Sequence, residues 1–310
     1  MKHVFFINPA AGKGKGLTEL KPAIEQYFKD KLEEFKIIVT ECVGDAREKA
    51  RKIAETGEEA NLYACGGDGT FFEVLNGAYG FKNINFGAIP CGSGNDFLKF
   101  FSSREPFADI AAQVEGTPID TDVIKVDDTY CVNICSLGMD AVVADGMSRF
   151  KRLPFVSGGM AYKLSIVKVL LGKIGQRARI KIDGEDKGEY DCLFAVCANG
   201  PVYGGGYKSA PNADPTDGRL EWLIVENISK PKILKFIKRY EQGTHEDLPI
   251  CHHGHCRVME IEALREEPIN LDGEIIHRKK VRFELIPAGI KFILPKGITL
   301  KKNEKEFAKA

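Results

Sequence analysis

Glycine-rich turns and carboxylates set among glycines are the groupings in this sequence that could do chemistry. Gly66-Gly67-Asp68-Gly69-Thr70 places a carboxylate between glycines and a hydroxyl just beyond it. Asn8-Pro9-Ala10-Ala11-Gly12 and Cys91-Gly92-Ser93-Gly94-Asn95-Asp96 add two further turns of similar make. Glycine lets backbone N–H groups approach an anion closely, and a helix that follows adds its dipole. Such turns at the ends of parallel strands predict a phosphate cradle, although none has the frame of a P-loop or of a dinucleotide-binding turn. Asp68 is poorly placed to touch phosphate itself. It could instead hold magnesium-bound water or a ribose hydroxyl, or simply cap a helix. Late in the chain, Asp272-Gly273-Glu274 puts two carboxylates two positions apart. On a strand both would face one cleft, and one could take a proton from a hydroxyl; a turn at Gly273 would weaken that inference.

The elements that must carry these groups alternate regularly at first. Val4–Ile7, Phe35–Thr40, Asn61–Cys65 and Asn85–Pro90 read as short buried strands. Helical spacing follows over Leu17–Phe28 and Asp45–Thr56, and from Thr70 and Phe97 onward. Repeated strand–turn–helix units predict a doubly wound parallel sheet over residues 1–122. Beyond Asp120–Val123 the texture changes. Tyr130–Ser136, Arg179–Ile182, Leu193–Ala198, Arg219–Val225, Arg257–Ile261 and Val281–Ile286 read as strands, with helices only at Gly159–Ile174 and Lys230–Gln242. This predicts an antiparallel β-sandwich domain over residues 123–294, with a Lys-rich tail, 295–310, that docks back on the first domain or frays.

Composition sets limits. In 310 residues, 44 Lys and Arg balance 44 Asp and Glu, so no global field selects nucleic acid as a partner. No apolar run approaches the roughly 18–20 residues of a helical membrane span. The apolar start Val4–Ile7 meets Asn8-Pro9 too early for a secretory leader, and nine cysteines without an even framework suit a reducing compartment. Charge is nevertheless uneven. Residues 146–182 contain nine Lys and Arg and no acid, beside Phe150, Leu153, Phe155 and a run of aliphatic residues. That mixture predicts an element able to rest on anionic lipid, or a helix with a solvated basic face over the core. Cys251-His252-His253-Gly254-His255-Cys256 is too crowded for all its ligands to converge on zinc, and reads as a hairpin loop.

Taken together, Asn8–Gly12, Gly66–Thr70 and Ile89–Phe97 resemble the diacylglycerol-kinase catalytic-domain family, specifically its soluble bacterial lipid kinases. The resemblance continues through Asn199-Gly200, Gly204–Gly206, Ala210–Ala213, Asp217–Leu220 and Leu271–Glu274, in the right order and over nearly the whole chain. It implies an ATP-binding α/β domain, a β-sandwich domain for the lipid substrate, and a site between them. It implies ATP contacts at Asn8, Pro9, Ala10, Ala11, Gly12, Thr40, Gly66, Gly67, Asp68, Gly69, Thr70, Phe71, Phe72 and Ser93. Asp68 and Asp96 would organise Mg²⁺-bound water, and Asp214, Asp217 and the backbone carbonyl of Arg219 would form a structural Mg²⁺ site. Asp272 or Glu274 would be the catalytic base, its neighbour orienting it. The expected protein is a cytoplasmic, peripherally membrane-associated kinase that phosphorylates a lipid hydroxyl, diacylglycerol first among acceptors, with a homodimer left open. An NAD kinase, which shares the Gly-Gly-Asp-Gly-Thr turn, and a regulator without turnover are the alternatives.

Overall fold

The computed structural model describes residues 1–91, 94–150, 172 and 174–300. The expected helix at Gly159–Ile174, most of the basic stretch, Ser93 and the end of the tail therefore fall outside the described residues.

The first lobe is built on parallel strands β1 (Lys2–Ile7), β2 (Phe35–Val39), β3 (Ala60–Gly66) and β4 (Ile84–Pro90), in the spatial order β4-β3-β1-β2. Side chains alternate across this sheet as the strand period requires. Val4, Phe6, Leu62 and Ala64 face one core with α2 (Asp45–Ala54) and α3 (Asp68–Ala78). Phe5, Ile7, Tyr63 and Cys65 face the other with α1 (Lys21–Phe28). Burial on both faces explains why these strands are continuous apolar runs. The chain leaves β1 toward β2 on one side and leaves β3 toward β4 on the other. The gap between β1 and β3 is therefore the topological switch point, where open sheets collect ligands. Both Asn8–Gly12 and Gly66–Thr70 emerge there.

The second lobe is antiparallel and sandwich-like. Strands β7 (Ile134–Gly138), β8 (Gln176–Ile182), β9 (Glu185–Ala198), β10 (Leu220–Glu226) and β12 (Val258–Leu271) enclose a core that includes Leu137, Ile180, Ala195, Leu220 and Met259. Helix α8 (Lys230–Gln242) covers the far face with Ile233, Phe236 and Tyr240. On β8, Arg177, Arg179 and Lys181 alternate outward, so this end of the basic stretch is the solvent face of a strand.

The two lobes share strands. β5 (Thr117–Val126) spans the expected division near Asp120–Val123 and pairs with β13 (Glu274–Leu294). β13 begins as the partner of β12 and ends beside β4, with Phe292 opposite Phe86. The return to the first lobe thus starts before the tail. Ile290, Phe292 and Leu294 already lie in the first core, and Ile298 and Leu300 pack against it. Two further features depart from expectation. Cys251–Cys256 is not a hairpin loop but an edge strand, β11, paired with β10 and burying its two cysteines. Among the described residues no three His, Cys, Asp or Glu side chains converge on a metal position. A helix, α7 (Met139–Phe150), follows β7 directly, where the sequence reading assigned no helix.

Phe292 is fully buried, with the rings of Phe71, Phe97, Phe101 and Phe107 centred 5.2–6.2 Å away. Phe292→Ala is expected to cost about 3–5 kcal/mol in a denaturant-unfolding measurement, a loss confined to no surface loop.

Candidate active site

Asp68 opens α3 at the end of β3, and both of its oxygens are engaged. Oδ2 accepts from the backbone N–H of Asn95 at 2.8 Å, and Oδ1 from that of Asp96 at 3.0 Å. The carboxylate therefore fastens the turn after β4 to the turn after β3. Gly94 is obligatory for this, since a Cβ there would sit 2.4 Å from Asp68 Oδ2. Asn95 takes a left-handed φ of 73° in the same turn, a conformation asparagine tolerates better than most residues. Burial, followed by the charge of Asp96, pushes the Asp68 carboxyl above the usual carboxylate range, while the Asn95 N–H draws it back.

Asp96 continues the link across the cleft. Its Oδ1 pairs with Lys99 Nζ at 2.5 Å, and its Oδ2 accepts from the Gly205 N–H of the second lobe at 2.8 Å. On the other side, Asp272 sits at the tip of the β12–β13 hairpin. Asp272 has φ 52° and Gly273 φ 102°, a two-residue turn with both positions left-handed. The two acids of Asp272-Gly273-Glu274 are therefore not on one straight strand. Asp272 is turned onto the link between the lobes, where its carboxylate accepts from the backbone N–H groups of Val132 (2.7 Å), Asn133 (3.1 Å) and Ile134 (2.7 Å). Burial pushes its pKa up to about 7 against the pull of those N–H groups, and the negative charge of Asp68 adds to the rise. Glu274 lies at the start of β13, where its Oε1 would be 3.4 Å from a Cβ on Gly69. Burial and then Glu73 raise its pKa as well.

Asp68, Asp96 and Asp272 line one cavity of about 500 Å³ between the lobes, a volume typical of small-molecule sites. Its remaining wall is largely apolar, with Phe71, Leu98, Val143, Phe194 and Ile237 among the lining residues.

The first turn lies at the switch point. Asn8 Oδ1 accepts from the Ala10 N–H at 2.9 Å, and its Nδ2 donates to Thr70 Oγ1 at 3.3 Å, which joins the turns after β1 and β3. Gly12 has φ 58°, and a Cβ there would fall 2.0 Å from the Cys91 carbonyl oxygen. Thr40 is buried at the end of β2, with its N–H donating to the Ile7 carbonyl at 2.9 Å. The structure thus gathers Asn8, Gly12, Thr40, Gly66, Asp68 and Thr70 at the carboxyl ends of neighbouring strands. Phe71 both packs in the core of the first lobe and lines the cavity, and Phe72 packs against the core of the second lobe.

Asp214, Asp217 and Arg219 lie away from this cavity. Asp214 Oδ1 accepts from Thr216, Asp217 Oδ1 accepts from the Arg219 N–H, and the nearby Asp122 accepts from Gly218 and Ala288. Burial, with Asp214 and Asp122 adding their charge, pushes Asp217 up to about 6. Sequence reasoning missed the amides of Val132–Ile134 and Gly205 and the cavity-lining side chains of Asn270 and Asp140. Only Gly205, within Gly204-Gly205-Gly206, carried a sequence signal.

Residues 2–126 match the family described as the diacylglycerol kinase catalytic domain, and residues 133–294 the YegS C-terminal NAD kinase beta sandwich-like domain. A Bacillus subtilis protein named "Putative lipid kinase YtlR" is 28% identical, covering 94% of this chain and 99% of its own. A Mycobacterium tuberculosis protein named "Diacylglycerol kinase" is 26% identical over 93% of this chain and 94% of its own. A crystal structure titled as a "putative diacylglycerol kinase" from Bacillus anthracis superposes with a TM-score of 0.75 at 22% identity, covering 96% of this chain and 98% of that one. An NAD kinase from Archaeoglobus fulgidus shares the fold at a TM-score of 0.52 and 12% identity, covering 96% and 94%.

Asp68→Ala would release the N–H groups of Asn95 and Asp96. The expected cost is about 1–3 kcal/mol of stability, read by denaturant unfolding, with faster proteolysis near residue 94.

Proposed function

Because the chain belongs to the diacylglycerol kinase catalytic domain family, we propose that it is a lipid kinase moving the γ-phosphoryl group of ATP to a lipid hydroxyl, with diacylglycerol the first acceptor to test. One observation carries this reading: Asp68 and Asp272, from opposite ends of the chain, line the same cavity, and the rest of that cavity is largely apolar. An apolar chamber suits acyl chains, and the polar edge suits the transfer.

In this reading the turns after β1, β3 and β4 hold the nucleotide phosphates through backbone N–H groups, with Asn8 and Thr70 keeping two of the turns in register. Bound Mg²⁺ would neutralise charge on the transferring group, the usual requirement of phosphoryl transfer. Asp68 and Asp96 would meet its water through lone pairs not used by backbone N–H groups. Asp272 is the general base. It lines the cavity, and a carboxyl raised to about 7 is matched to taking a hydroxyl proton near neutrality. Glu274 does not line the cavity but lies beside Gly69 of the nucleotide turn, where it would act only through its neighbours. Protein docked on an anionic membrane would receive its lipid directly; among the described residues no helix is long and apolar enough to cross a bilayer.

The test is incubation with γ-labelled ATP and Mg²⁺ in the presence of diacylglycerol micelles, other lipid alcohols or NAD. Label in lipid supports the reading, and label in NAD alone overturns it. Asp272→Asn is expected to lower kcat by roughly 10²–10⁴-fold while ATP binding is kept. A base must be deprotonated to act, so kcat/KM should fall as pH drops through about 7, the raised value of Asp272, and level off above it. A flat profile between pH 5 and 8 (about one to two units either side) would remove Asp272 from that role.

A further inference from the structure

Helix α8 has two faces of opposite character. Ile233, Phe236 and Tyr240 bury the inner one against Phe194, Leu223 and Val225, and Ile237 and Tyr240 also line the cavity. The outer face carries Lys230, Lys232, Lys235 and Lys238, all exposed, against one exposed acid, Glu241. None of these lysines pairs with an acid among the described residues, and the remaining cation of the helix, Arg239, is held by Asp247 at 2.5 Å. Leu234 stands in their midst with 60% of its surface exposed. Clustered lysines repel one another, and an exposed leucine forgoes burial. A surface that is negative outside and hydrocarbon beneath relieves both costs. Position adds a further observation. Leu234 lies three residues before Ile237, on the same flank of the helix, so the exposed leucine adjoins the wall of the chamber. The basic row on β8 is different. There Arg179 is paired with Asp186, and no large exposed apolar side chain accompanies the cations.

We propose that the outer face of α8, Leu234 ringed by Lys230, Lys235 and Lys238, is the surface by which the protein lands on an anionic bilayer. The lysines meet the headgroups and Leu234 enters the layer beneath them. The chamber wall formed by Ile237 and Tyr240 is thereby brought to the membrane, so that an apolar occupant passes between the two without crossing water. The proposal rests on the lipid-kinase reading for its purpose and adds to it the face that docks, which the sequence placed within residues 146–182.

The experiment sediments the full chain with phosphatidylcholine vesicles, with and without phosphatidylglycerol, at low and high salt. The wild-type protein is expected to bind the anionic vesicles and to leave them as salt rises. Lys235→Gln combined with Lys238→Gln should weaken partitioning by roughly 30-fold, at about 5-fold for each lysine near the surface. Leu234→Gln should weaken it by roughly 10-fold, with helix content by circular dichroism unchanged. The matching pair on β8, Arg177→Gln with Lys181→Gln, should stay near the wild-type value. Transfer from γ-labelled ATP to dioctanoylglycerol offered without vesicles should be the same in every variant, whereas transfer to long-chain diacylglycerol in anionic vesicles falls with binding. A wild-type protein that ignores anionic vesicles, binds neutral ones as well, or is unaffected by the α8 substitutions overturns the proposal. So does loss of self-association in α8 variants that still bind vesicles, which would give the face to a second copy of the chain. Docking through α8 with no transfer to any lipid alcohol leaves the surface in place and overturns the kinase reading; label in micellar lipid from a protein that does not dock does the reverse.

Discussion

Capture of carboxylates by backbone N–H groups is the interaction on which this structure depends. Asp68 holds the turn carrying Asn95 and Asp96, Asp96 holds Gly205, and Asp272 holds the link at Val132–Ile134. An enclosed carboxylate without such partners would lose its hydration and gain nothing in return. Here each one gains directed bonds, and each bond also joins separate segments of chain. The same groups that would serve a phosphoryl transfer therefore hold the walls of the cavity at a fixed spacing.

That arrangement works because the lobes are not strung on a loose linker. β5 and β13 run from one lobe into the other as an antiparallel pair, and β13 ends inside the first core beside β4. Helix α3 reinforces the joint. Asp68 at its start faces the cavity, Phe72 packs on the second core, and Asn76 exchanges hydrogen bonds with the backbone of Tyr130 at 2.8 and 2.9 Å. One helix thus carries the phosphate-side acid and the contact surface between lobes. A change at Phe72 or Asn76 would be felt at the site as a shift in the position of Asp68 relative to Asp272.

Electrostatics and packing divide the cavity between them. Burial lifts both Asp68 and Asp272, with the charge of Asp96 adding to the rise of Asp68 and that of Asp68 to the rise of Asp272. The interior of the cavity is hydrocarbon and aromatic, supplied by β7, α7, β9 and α8. A cation beside the acids and an apolar occupant within would each relieve a different cost.

Much of this was legible in the sequence, for local reasons. The strand–turn–helix rhythm of the first lobe shows because strands buried on both faces must be apolar throughout. The glycine turns show because Gly12 and Gly94 sit where any Cβ would collide with the Cys91 carbonyl or with Asp68. The Asp272-Gly273 hairpin was visible as one of two readings, and the backbone chose the turn. The rest depended on distance along the chain. That Cys251–Cys256 is a strand follows only from the open edge of β10, and the partners of Asp272 are backbone amides 138 to 140 positions earlier, which no side-chain pattern marks. The cavity interior draws on segments that no spacing rule connects. Residue types and their order alone determined the fold class, the family resemblance and the candidate acids. Tertiary structure alone decided which acid meets which amide, because hydrogen bonds to the main chain are blind to residue identity.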